Sequence, residues 1–139
     1  MLTMILSPIE WKQLAESAHL SIFGEVRDRG LDRIDFCIVI GDQSVPFSYA
    51  TIRELDSKTA YMQYGGAFPL TQKSIKAFNC YLLTVKFLEE KGYARITTLI
   101  ENTNTSMIKF ALKLGFLIIG IRTFENKIYC EFLKKFKEE

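Results

Sequence analysis

Histidine is nearly absent from these 139 residues, with His19 standing alone. Cysteine is sparse too: Cys37, Cys80 and Cys130 lie 43 and 50 residues apart, and no C-x-x-C occurs. Zinc sites draw on Cys and His clustered at short spacing, so a metal centre of that kind is excluded. The cysteine count is odd and each sits among apolar neighbours, which reads as reduced thiols in a cytoplasmic protein. No apolar run approaches the ~18–20 residues of a membrane span. Met1-Leu2-Thr3-Met4-Ile5-Leu6 is apolar but has no positive flank and no small-residue cleavage site, so no signal peptide is expected. A strong charge of one sign is also lacking. The net charge of +2 is too small to imply a nucleic-acid or membrane partner. Repeats, linkers and low-complexity stretches are missing, as are a Walker A loop, G-x-G-x-x-G, G-x-S-x-G and H-E-x-x-H.

What is present is material for a core. Apolar residues make up 48% of the chain, charged residues 24%, and there are eleven Phe and six Tyr. Such a chain fills one compact domain, residues 1–139.

The pattern along the chain is mixed. Ser7-Pro8-Ile9-Glu10 is a capping box with Pro at the first helical position. Trp11, Leu14, Ala15, Ala18 and Ile22 continue at helical spacing to about Phe23-Gly24. Ile34 to Ile40, Phe47 to Leu55 and Thr59 to Tyr64 read as three strands of an antiparallel meander. Gly65-Gly66-Ala67-Phe68-Pro69 interrupts. A long helix is predicted from about Thr71 to Lys91, with Ile75, Phe78, Leu82, Val85 and Leu88 on its inner face and Gly92 as its stop. Arg95 to Ile100 alternates as a strand does. A short helix runs to Leu114, with Met107, Phe110, Ala111 and Leu114 inward. Phe116 to Thr123 and Ile128 to Phe136 form a last hairpin around Glu125-Asn126-Lys127. A helical crossover between strands implies one parallel pair in a mostly antiparallel sheet. The fold class is α+β, or mixed α/β, with helices flanking the sheet.

The densest chemical signal is Glu101-Asn102-Thr103-Asn104 through Lys113-Leu114-Gly115-Phe116. Asn104 lies eleven residues before Gly115-Phe116. This spacing resembles the signature of the GNAT superfamily of acyl-CoA-dependent N-acyltransferases. A second stretch, Gln72-Lys73-Ser74-Ile75-Lys76-Ala77, is similar to that family's R/Q-x-x-G-x-G/A motif, with Ile75 where Gly is usual. The resemblance covers about Ser7 to Phe136 and is strongest from Ala67 to Phe116. It implies a single GNAT-like domain. It also implies acetyl-CoA or another acyl-CoA as co-substrate, and a small-molecule or protein amine as acceptor. A catalytically inactive GNAT-fold binding module is the alternative.

By that resemblance, Ala67 and Phe68 would border the pantetheine arm. Gln72, Lys73, Ser74, Ile75, Lys76 and Ala77 would hold the pyrophosphate on a helix N-terminus, where unpaired N–H groups gather. Asn104 would touch the pantetheine or the acceptor. Read without a ligand, it is a helix cap, as Asn102 and Thr103 could also be. The base that deprotonates the amine would be Glu101, with Glu54 weaker; a plain surface carboxylate is the rival reading of Glu101. The family often places a proton-donating Tyr seven residues after the Asn, and here that position is Ala111. Tyr81 or Tyr129 would substitute, although core packing explains both. Cys80 has no basic partner and reads as a small core residue. The final strand, Ile128 to Phe136, offers an edge for a homodimer.

Overall fold

The computed structural model describes residues 2–7, 9–10, 34–42, 46–68 and 75–136. Among them, seven strands form one sheet in the order β1-β2-β3-β4-β5-β7-β6. The strands are β1 (Leu2–Leu6), β2 (Phe36–Gly41), β3 (Pro46–Asp56), β4 (Thr59–Ala67), β5 (Arg95–Glu101), β6 (Leu117–Phe124) and β7 (Lys127–Lys135). Two helices are described, α1 (Ile75–Glu90) and α2 (Thr105–Lys113). Only β4 and β5 run parallel, joined through α1; every other neighbour is antiparallel. The expected class and its single parallel pair are therefore found.

Three elements differ from the sequence reading. The apolar start is an edge strand, pairing from Leu2 with Gly41 to Leu6 with Cys37. Gly65 and Gly66 do not break β4: they stay in register with Ala50 and Tyr49, and the strand ends at Ala67. The last strand is not an edge. β7 lies between β5 and β6, so β6 closes the sheet.

The elements follow from local chemistry. Every residue of β2 is buried, and its Phe-Cys-Ile-Val-Ile run suits a strand covered on both faces. The Asp56 carboxylate accepts from the Lys58 N–H at 2.8 Å and closes the β3–β4 turn. Glu125 and Asn126 both take positive φ, as a two-residue hairpin turn between β6 and β7 requires. At the chain start, the Ser7 hydroxyl accepts from the Glu10 N–H and the Glu10 carboxylate accepts from the Ser7 N–H, which completes the capping box. The remainder of that predicted helix lies outside the described residues, as do the first four positions of the predicted long helix.

Both helices end in the same way. Gly92 and Gly115 sit at positive φ. The Tyr93 N–H reaches the Leu88 carbonyl and the Gly92 N–H the Glu89 carbonyl; Phe116 to Ala111 and Gly115 to Leu112 repeat the pattern. These paired bonds define the Schellman stop. In each case the aromatic residue after the glycine is buried in the core, which ties the helix end to the sheet.

The inner face of α1 is the predicted one in part: Val85 and Leu88 are buried and Phe78 packs against the core as expected, but the face is rotated toward smaller residues. Ala77, Cys80, Thr84, Val85 and Leu88 are buried, whereas Leu82 is exposed and Ile75 is 80% exposed. Small side chains at helical spacing let α1 sit close on the sheet. Thr84 satisfies its own hydroxyl by donating to the Cys80 carbonyl. The core gathers Ile38, Ile40, Ile52, Leu88, Ile96 and Phe132 between the sheet and the helices.

Candidate functional site

β4 and β5 pair for four residues only, from Thr59 with Arg95 to Met62 with Thr98. The Thr98 hydroxyl donates to the Met62 carbonyl at 2.9 Å and pins the last pair. β4 then continues to Ala67 and β5 to Glu101 with no further register between them.

The cause is one extra residue. β3 pairs Ile52 with Met62 and Thr51 with Tyr64, so Gln63 bulges out of the ladder where β4–β5 pairing stops. A bulge bends its strand and increases the local twist. β5 is held along its whole length by β7, from Arg95 with Lys135 to Glu101 with Tyr129. The bent strand leaves the straight one, and a wedge opens between them. The Gln63 side-chain oxygen is buried at that apex without a hydrogen-bond partner, a costly placement. Sequence reasoning passed over Gln63, because a bulge is a matter of register and leaves no residue-level mark.

Several predicted residues gather around this wedge. Ala67 ends β4, buried opposite Ser48. The next N–H, of Phe68, donates to the Phe47 carbonyl, and the Phe68 ring meets Tyr49 edge-on at 6.1 Å. Lys76, in the first described turn of α1, lies 4.2 Å above the Phe47 ring. The start of α1 is thus anchored beside the end of β4. Ile75 is its solvent-facing neighbour, and Ala77 is buried. Gln72, Lys73 and Ser74 lie outside the described residues.

The β5 wall ends in a polar corner. The Glu101 carbonyl accepts from the Asn104 N–H at 2.9 Å, and Asn104 Oδ1 accepts from the Met107 N–H at 3.3 Å. Asn104 is therefore the cap of α2, which Asn102 and Thr103 are not. Glu101 is half-buried. Ile96 and Ile100 face the helices, so by alternation Glu101 faces the opposite side of the sheet, beside Tyr129.

Tyr81 is on the helix side. Its ring meets Phe110 of α2 edge-on at 5.6 Å, next to Ala111 in the chain. Burial, and then the neighbouring Cys80, push its phenol up to about 12. Tyr81 and Glu101 thus approach the sheet from opposite faces and do not touch. The other candidates fall away from the wedge. Glu54 is at the far end of β4's partner strand, where its carboxylate accepts from the Tyr93 hydroxyl at 2.6 Å. Burial first, and that bond second, raise the Tyr93 phenol. Cys80 is buried, and burial pushes its thiol up against the lowering effects of Ser48 and Lys76. It is a core residue, as expected.

A cavity of about 320 Å³ lies elsewhere, between the outer half of α1 and the end of β7, lined by Leu82, Lys86, Leu114 and Lys134 among others. It includes none of the predicted site residues. Among the described residues no three of His, Cys, Asp or Glu converge to hold a metal, and no helix is long and apolar enough to cross a membrane.

A sheet that splits at a bulge, with a crossover helix starting beside the split, matches known structures over nearly all of its length. The chain has the GNAT fold. An IAA acetyltransferase from Bacillus cereus superposes with a TM-score of 0.77 at 12% identity, covering 97% of this chain and 99% of that one. The ribosomal-protein-S18-alanine N-acetyltransferase of Escherichia coli gives 0.75 at 14% identity, over 99% and 96%. A GNAT family acetyltransferase from Elizabethkingia anophelis, solved with acetyl-CoA bound, gives 0.65 at 13% identity, over 90% and 83%. No protein-family model matches the sequence, and no curated protein matches it by sequence. The GNAT likeness is therefore carried by backbone architecture.

Proposed function

We propose that this chain is an acyl-CoA-dependent N-acyltransferase, in the simplest case an N-acetyltransferase, acting on a small-molecule or protein amine in the cytoplasm. The observation that carries the reading is the wedge opened by the Gln63 bulge. It offers strand edges of β4 and β5 to an extended thioester, and access from both faces of the sheet. Solved acetyltransferases of the same fold, one with acetyl-CoA bound, support it.

In this reading the pantetheine arm runs beside Ala67 and Phe68. The pyrophosphate meets the start of α1, with Lys76 supplying charge and the motif residues Gln72, Lys73, Ser74, Ile75 and Ala77 supplying main-chain N–H groups. Asn104 spends its Oδ1 on the cap, so its Nδ2 protons are the ones offered to ligand. Glu101 takes the proton from the incoming amine on one face of the sheet. The neutral nitrogen attacks the thioester carbon, the C–S bond breaks, and Tyr81 on the other face gives its proton to the departing sulfur; the proton that the new amide nitrogen sheds passes through solvent and restores the phenol. Positioning and main-chain donors to the developing oxyanion supply most of the rate enhancement.

Two observations favour a second reading, a GNAT-fold binding module without catalysis. Ile75 puts a branched side chain at the first described position of α1, and Ala111 is buried where a phenol would otherwise stand.

Thermal unfolding with millimolar acetyl-CoA, CoA or ADP tests the proposal. A ligand that binds only the folded state raises the midpoint, by about 2.7 kcal/mol of stabilisation at a hundredfold excess over Kd. A midpoint unmoved by all three would sink the acyltransferase reading and leave the binding module.

A further inference from the structure

We infer that β6 is the dimer interface of this protein, pairing antiparallel with β6 of a second copy. Among the described residues β6 closes the sheet, and β7 is its one strand partner. Five of its eight residues are large and apolar. Leu117, Ile118, Ile119, Ile121 and Phe124 are each between 51% and 71% exposed, and Ile128 of β7 adds another exposed side chain. The register distributes them over both faces. Ile118 and Ile121 stand beside Phe132 and Cys130 on the helix side, while Leu117 stands beside Leu133 and Phe124 beside Lys127 on the other.

An exposed edge of this kind recruits another strand unless something blunts it. The usual devices are Lys or Pro on the edge, or very short strands. β6 has no Lys, no Pro and eight residues. Its single charge, Arg122, is already paired within the chain to Glu131 at 3.0 Å.

That ion pair points to a second copy as the occupant. Arg122 stays 63% exposed, but with Glu131 bonded to it two copies meeting here bring two opposed ion pairs together and not two bare cations. An antiparallel strand paired with its own copy is two-fold symmetric, so the contact closes on itself and joins two seven-stranded sheets into one. The six apolar side chains expose on the order of 600 Å² per chain, most of the roughly 800 Å² per partner that a standard interface buries; the strand main chain supplies the rest.

The test is mass in solution by light scattering at about 100 µM, with Ile121→Lys, Ile119→Lys and, as a control on the opposite edge, Ile5→Lys. Wild type and Ile5→Lys should run at twice 16.0 kDa. Each β6 variant should run at 16.0 kDa with its dissociation constant raised roughly 30-fold or more, the scale of an interface hot spot. Amide exchange on wild-type β6 needs no variant, and it should slow as protein concentration rises. A wild-type monomer, a dimer untouched by both β6 variants, a dimer split by Ile5→Lys, open-ended aggregation, or β6 exchange independent of concentration would each overturn the inference.

Discussion

Single residues separate folding from ligand binding at this site. Asn104→Ala removes the Oδ1 that accepts from Met107, so it should cost about 1 kcal/mol in urea unfolding. If the Nδ2 group also meets the acyl-CoA, the variant should in addition lose ligand-induced stabilisation; a loss confined to the urea midpoint would leave Asn104 a cap alone. Gly115→Ala is a purely structural contrast. Its φ is +91°, and an added Cβ would come within 2.8 Å of Lys134 Nζ, which donates to the Leu114 carbonyl at the end of α2. A destabilisation of about 1–3 kcal/mol follows from the left-handed backbone. Tyr81 gives a pH signature. Its folded pKa, about 12, lies above the unfolded value near 10, so the neutral phenol is favoured by folding. That contribution is complete below pH ~10 and is lost as pH rises through about 12. Tyr81→Phe should shallow the alkaline loss of stability measured between those limits. The buried Tyr93 phenol, raised as well, should keep part of that loss in the variant.

At the scale of elements, the sequence was clearest where a rule is local. The Ser7–Glu10 box, the Asn104 cap and both glycine stops are written in adjacent residues, and they formed as expected. The inner face of α1 was legible from hydropathy only in part: Phe78, Val85 and Leu88 pack inward as expected, but Ala77, Cys80 and Thr84 are buried for their size while Ile75 and Leu82 point to water. Strand order was hidden too: whether β6 or β7 lies next to β5 depends on long-range pairing, which no window of sequence contains. The wedge was the largest omission, and a single insertion makes it. Deleting Gln63 tests this directly. It leaves Met62 opposite Ile52 and Tyr64 opposite Thr51 as consecutive regular pairs, so β3–β4 pairing survives. Without the bulge, β4 should lie flat against β5 beyond Met62. The deletion variant should remain folded by circular dichroism and lose its acetyl-CoA-induced rise in midpoint; a retained rise would mean that the bulge does not make the site.

For the whole molecule, the same feature makes a joint. Four parallel residue pairs connect a four-stranded half, β1 to β4, to a three-stranded half, β5-β7-β6. Each half is well paired internally, with β3 and β4 in register over most of their length and β5 and β7 over seven pairs. A ligand lying in the wedge touches both halves at once and adds contacts where the sheet has fewest. Local opening is cheapest where backbone hydrogen bonds are few and exposed, so within β4 and β5 the free protein should exchange amides faster along residues 63–67 and 99–101 than along the four parallel pairs. Acetyl-CoA should slow exchange in both segments together, and at the start of α1, while leaving the β2–β3 centre unchanged because that region is already buried on both faces. Protection confined to one wall would describe a ligand lying on the sheet surface. Protection appearing instead around Leu82, Lys86 and Lys134 would move the binding site to the cavity beside α1 and remove the wedge from the mechanism.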